Sequence, residues 1–253
     1  MISMYTGSVG SGKSYHATDL ALEWVRKGKD VIANFDIDIP DSKLKMNKKK
    51  WASRRSRWHF MEEITVEHLM ALSLENGWYG SESRCMVVID EAGILFNSRD
   101  WQHEGNARKK WIKFLSQSRK FGFDFIFVLQ SDRMLDRQIR GLVEYDVKHL
   151  KANNSFFLSW LSLFRITLFL YVYKWYQTKL KGNMRFGLYK PWIANRYDTM
   201  KVFNLDELVE SMKMVYEGKI IPAAVATQIG IWEDAIKEKL EKEEEERQQL
   251  ANM

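Results

Sequence analysis

The chain has 253 residues, 45% hydrophobic and 28% charged, which excludes collagen-like and low-complexity classes and suits one large domain with an appendage. Its one cysteine, Cys85, excludes an internal disulfide framework and fits a reducing compartment. The net charge is +6, but residues 43–57 (KLKMNKKKWASRRSR) hold eight cations and no acid, so the remainder sums to −2 and a uniformly basic surface is excluded.

Met1–Thr6 is a short apolar run that reads as a first core strand, without the basic n-region and continuous apolar stretch of a secretory leader. From Lys13 to Lys27, apolar residues recur every three or four positions (Ala17, Leu20, Ala21, Trp24, Val25), which predicts a helix stopped by Gly28. Val31–Ile39 (VIANFDIDI) predicts a second strand, ended by Pro40. Strand, loop, helix, strand is the opening of an α/β domain. The basic stretch 43–57 reads as a loop or short helix, and Val66–Leu74 as a helix.

Cys85–Ile89 (CMVVI) has the continuous apolar character of a buried parallel strand and ends in Asp90-Glu91. A helix over Lys109–Lys120, a buried strand over Phe123–Leu129 ending at Gln130, and a helix over Met134–Leu142 complete the expected core. Phe156–Tyr173 has eighteen residues, close to the length of a membrane span. Arg165 at its middle costs about 2.5–3.5 kcal/mol on insertion scales. Because Thr167–Gln177 is dense in aromatic and β-branched residues, the expectation is a β-hairpin or strand pair, with a membrane-inserted segment as the alternative. Glu233–Arg247 is mostly Glu and Lys, with a narrow apolar face at Ile231, Trp232, Ala235, Ile236 and Leu240, and reads as a solvated helix. The expected division is a core over 1–150, a hairpin-rich extension over 151–203 and a helical segment over 204–253.

Gly7-Ser8-Val9-Gly10-Ser11-Gly12-Lys13-Ser14 fits G-x-x-x-x-G-K-[ST] at every fixed position, between a predicted strand and a predicted helix. A triphosphate needs many backbone N–H donors close together, and a wrapping loop supplies them where no Cβ intrudes. The helix that follows offers its free N–H groups and positive dipole end. In this pattern Lys13 reaches the β- and γ-oxygens and Ser14 gives its hydroxyl to Mg²⁺. The candidate nucleotide-binding segment is therefore Gly7 to Ser14 with Tyr15 following, and the ligand expected is ATP with Mg²⁺. A second carboxylate must end a buried strand nearby: Asp90 would assist the metal and Glu91 would polarise an attacking water. Gln130 ends the next strand, where ligands of open α/β sheets lie, and could bond the water or the γ-phosphate. Arg119 is the candidate arginine for charge on the transferring phosphate, in cis or from a neighbouring subunit, with Arg140 as competitor.

GSVGSGKSY (7–15), GKDVIANFDID (28–38), VVIDEAGILFNSRDW (87–101), SRKFGFDFIFVLQ (118–130) and DRQIRG (136–141) together resemble the Zot family within the FtsK/HerA-type P-loop ATPases. Beyond residue 150 only ANRYDT (194–199) extends the likeness. The resemblance implies a RecA-like, mainly parallel sheet flanked by helices, and a homo-oligomeric ring hydrolysing ATP between subunits. It further implies extrusion or packaging of phage or plasmid DNA from the host cytoplasm, at the inner face of the membrane or beside other assembly proteins. By position it gives Lys13 and Ser14 the phosphate and Mg²⁺, Asp90 the metal, Glu91 the water, Gln130 the sensing role and Arg119 the finger. A clear membrane helix, common in phage members, is missing from the pattern here. In 43–57, Trp51 and the neighbouring Trp58 among eight cations suit single-stranded nucleic acid, an anionic membrane surface, or a solvated loop whose tryptophans enter the core. A nucleotide or small-molecule kinase, and a non-motor secretion or interaction protein that keeps a nucleotide fold, are the competing functions.

Overall fold

Strands β1 (Ile2–Thr6), β4 (Cys85–Ile89) and β5 (Phe123–Leu129) are buried along their whole length, as apolar strands must be when a sheet is covered on both faces. The computed structural model describes residues 1–37, 55–96, 105–154 and 167–194, with isolated positions between 209 and 241. With β2 (Asp30–Ala33), β3 (Trp58–Phe60), β6 (Tyr145–Lys151), β7 (Leu168–Trp175) and β8 (Lys181–Leu188), the strands form one sheet in the order β3-β2-β4-β5-β1-β6-β7-β8. The first six in that order are parallel, and β7 and β8 continue the sheet antiparallel.

Alternation along the strands builds two cores. Met4, Ile32, Val87, Ile89, Phe125 and Phe127 face one layer, which holds α2 (Val66–Glu75) and α4 (Gly105–Ser116). Tyr5, Val31, Ala33, Met86, Val88, Ile126 and Val128 face the other, covered by Ala17, Ala21, Leu22 and Val25 of α1 (Lys13–Arg26). The helices α3 (Ala92–Leu95), α5 (Arg137–Arg140) and α6 (Pro191–Ala194) are short, four residues each.

Several predicted elements change length for local reasons. The second strand stops at Ala33, not Ile39, because Asn34 turns its amide to the end of β4 and Asp36 Oδ1 accepts from its neighbour Ile37 N at 2.8 Å. The helix expected over 109–120 runs Gly105–Ser116, and a 3-10 turn then ends at Gly122 with φ 82°. The helix expected over 134–142 splits into a 3-10 turn and α5, because Asp136 caps α5 by accepting from Gln138 N at 2.8 Å. Strands β3 and β6 have no counterpart in the sequence reading.

Of the strand pair expected over 156–177, β7 falls inside that stretch and its antiparallel partner β8 lies beyond it; residues 155–166 lie outside the described set. No helix among the described residues is long and apolar enough to cross a membrane. The chain divides into compact units Met1–Asp198 and Thr199–Met253. In the second, the described positions are helical and Lys213 pairs with Glu233.

Candidate nucleotide site

The first strand ends at Thr6 and the loop begins at Gly7, whose N–H reaches Gln130 O at 3.4 Å. Ser11 N donates to Ser8 O at 3.2 Å, and Gly12, left-handed at φ 87°, caps α1. Val9 at the tip is 80% exposed, while Lys13 is 8% exposed. The Lys13 ammonium donates to Gly7 O and Ser8 O, both at 3.0 Å. Burial lowers its pKa, against the opposing pull of Glu91 and Asp90. Ser11 Oγ is buried beneath the loop and has no hydrogen-bond partner among the described residues.

The acidic pair arrives from 76 positions away: Ser14 Oγ donates to Asp90 Oδ1 at 3.2 Å. The end of β4 is held by Asn34, which enters the sequence reading only inside the segment GKDVIANFDID (28–38). Asn34 Nδ2 donates to Asp90 O at 2.9 Å, and Asp90 N donates to Asn34 Oδ1 at 2.8 Å. This two-point clasp seats the Asp90 peptide. Glu91 then turns into the left-handed region at φ 48°, its N–H on Asp90 Oδ1 at 3.0 Å, a conformation costing roughly 1–2 kcal/mol for a residue with a Cβ. Burial raises the Glu91 carboxyl pKa, Asp90 adds to the rise, and Lys13 opposes it. Because β5 lies between β1 and β4, Gln130 at its end sits between the loop and the acidic pair.

The structure thus brings Gly7–Ser14, Asp90, Glu91 and Gln130 to one end of the sheet. It does not bring Arg119 there. Arg119 lies before β5, at the opposite end of the strands, and donates to both oxygens of Glu144 at 3.0 Å, so the in-cis option for this arginine is removed. Tyr15 is also otherwise engaged: its hydroxyl donates to Leu188 O at 3.1 Å and accepts from Lys190 N at 2.9 Å, tying α1 to the end of the hairpin.

The basic stretch is described only from Arg55 onward. Arg55 pairs with Asp36 and Arg57 with Asp30. Trp58, read either as a stacking ring or as a tryptophan entering the core, is 6% exposed and packs edge-on against Phe35 at 5.8 Å; it belongs to the core because it opens β3 beside β2. Trp51 and the other six cations lie outside the described residues.

A loop with a buried lysine suits a polyphosphate, and the hydroxyl and carboxylate oxygens beside it suit the cation that accompanies one. Fold and site together define a P-loop nucleoside triphosphatase arrangement. More narrowly, the chain belongs to the Zot family: the family model described as zonular occludens toxin (Zot) matches residues 1–160. It is 28% identical over 147 residues to the Gene 1 protein of Enterobacteria phage I2-2, covering 58% of this chain and 39% of that relative. It is also 28% identical over 150 residues to the Gene 1 protein of Escherichia phage If1, covering 58% and 40%. The chain therefore spans about two fifths of the length of these curated relatives. Among solved structures, the N-terminal domain of zonular occludens toxin from Neisseria meningitidis superposes with a TM-score of 0.43 at 16% identity, over 78% of this chain and 98% of that one. The genome packaging NTPase of Sulfolobus turreted icosahedral virus 2 with ATP-gammaS superposes with a TM-score of 0.45 at 12% identity, over 73% and 95%.

Proposed function

We propose that the protein is the ATP-hydrolysing motor of a phage or mobile element, serving DNA packaging or virion assembly and export. The observation that carries this reading is the Ser14–Asp90 contact of 3.2 Å, which closes the loop against the acid pair. Ser14 and Asp90 are the residues that would hold Mg²⁺, whose chemistry when bound is to neutralise charge on the phosphate oxygens. Lys13 exchanges its two loop carbonyls for phosphate oxygens. Glu91, made more basic by burial, takes a proton from the water that attacks the γ-phosphorus, and the bond to the β-phosphate oxygen breaks to release ADP. Gln130 orients that water.

The finer parts of the reading rest on membership of the family and on the phage origin of its relatives. Subunits work as a homo-oligomeric ring in the host cytoplasm, at the inner face of the membrane, and Arg119 serves a neighbour's site. Phage or plasmid DNA is gripped through the cations of 43–54, since Arg55 and Arg57 already have acidic partners. The test is Glu91→Gln. It should bind MgATP as the parent does and lose turnover by about 10²–10⁴-fold, the range of general-base catalysis. Full turnover in that variant refutes the assignment of the base.

A further inference from the structure

Two of the three loop glycines are demanded by protein packing. A Cβ at Gly7 would lie 2.5 Å from His149 O, and one at Gly12 would lie 2.7 Å from the Phe169 ring. A Cβ at Gly10 meets nothing within 4 Å. The loop is therefore seated at its entry on β6 and at its exit on β7, with only its middle free to face a ligand.

A hydrogen bond spans the same two ends from below. His149 is fully buried on β6, and its Nδ1 lies 2.9 Å from Val147 O. A carbonyl only accepts, so Nδ1 carries the proton and Nε2 is left as an acceptor. His16, in the first turn of α1, places Nδ1 2.8 Å from that Nε2 and is the donor. The backbone N of His16 donates to Gly12 O at 3.0 Å. The His16 ring is stacked against Tyr171 of β7 at 3.8 Å and Tyr5 of β1 at 4.8 Å. Strands β1, β6 and β7 and the head of α1 thus meet in one aromatic block beneath the loop.

We propose that this block makes His16, His149 and Phe169 positioning residues for nucleotide binding, so that the β6–β7 edge presets the phosphate loop. The inference rests on the nucleotide reading of that loop. A preset loop loses less entropy when the phosphates arrive. Loosening it should weaken binding and leave the chemical step alone.

The test compares three variants in the full chain. His16→Phe keeps the ring stack and removes the donor. His16→Asn removes the ring and restores a donor near the Nδ1 position. Phe169→Leu keeps apolar bulk and removes the ring under Gly12. His16→Phe and Phe169→Leu should each raise the Kd for MgATP about tenfold, the scale of one buried hydrogen bond or ring contact. The kcat at saturation should stay within about twofold, and His16→Asn should recover most of the affinity. Amide exchange at residues 8–12, measured without nucleotide, should be faster in the first and third variants than in the parent. Unchanged Kd and unchanged exchange overturn the proposal, as does a fall in kcat at constant Kd. A parent chain that binds no MgATP, with exchange still faster in the first and third variants, sinks the nucleotide reading and upholds the seating of the loop.

Discussion

The two ends of the parallel strands handle charge in opposite ways. At the amino ends, charges are matched to one another. The Met1 ammonium lies 2.6 Å from Asp124, Ser83 donates to the other Asp124 oxygen at 2.8 Å, and Arg119 grips both oxygens of Glu144. At the carboxyl ends, Lys13 has backbone carbonyls of its own loop, Glu91 is held left-handed, and burial disfavours the charged forms of both. The first end adds modestly to stability. The second holds desolvated charge and backbone strain, which is how a site prepared for a charged ligand differs from a surface.

Lys13→Met tests that difference most severely. The aliphatic stem stays buried, and among the described residues the amine removed bonds to Gly7 O and Ser8 O. The fold should be as stable as the parent or slightly more so in thermal unfolding, because a partly desolvated charge is gone. Turnover should fall by about 10²–10³-fold in kcat/KM, the effect of removing one donor to developing charge. A large drop in melting temperature would place Lys13 among the structural charges and erase the contrast.

Asn34→Ala comes next. It removes both bonds to the Asp90 peptide and should cost about 1–3 kcal/mol of stability, the range for buried groups left unpaired. Unclasping the end of β4 lets Glu91 leave its left-handed conformation. Turnover should therefore drop about tenfold at unchanged Kd for MgATP, a split that stability loss alone does not produce. Equal effects on kcat and Kd would make the clasp a part of nucleotide binding instead.

The glycine loop, Asp90-Glu91 and Gln130 were legible because each is a short local pattern that fixes its own position. The three central strands were legible because burial on both faces forces unbroken apolar runs. What was hidden depends on partners distant in sequence. Strand β6, YDVKHLK, carries Asp146, Lys148 and Lys151 and reads as polar; only Val147 and His149 of its inward face are fully covered. β8 is exposed along nearly its whole length, so no apolar alternation marks it, and it exists by pairing with β7. The roles of Asn34 and His149 could not be read at all, since each is defined by a contact more than 50 positions away.

The smallest expected effect on stability belongs to Arg119, and it sharpens the comparison most finely. Its side chain is 58% exposed and its one described ion pair is with Glu144. Arg119→Ala should change stability by no more than about 1 kcal/mol, because exposed pairs are screened and lose side-chain entropy. Within one subunit the arginine and the loop lie at opposite ends of the strands, so the Kd for MgATP should not move. Any role in turnover must then come through a neighbouring copy. Mixing Arg119→Ala with Lys13→Met subunits separates the cases. Recovery of turnover in the mixture requires that an intact Arg119 complement an intact loop from another chain, which would convert the quiet end of one subunit into part of the working end of the next. Turnover that stays at parental levels in Arg119→Ala alone leaves the amino ends purely structural.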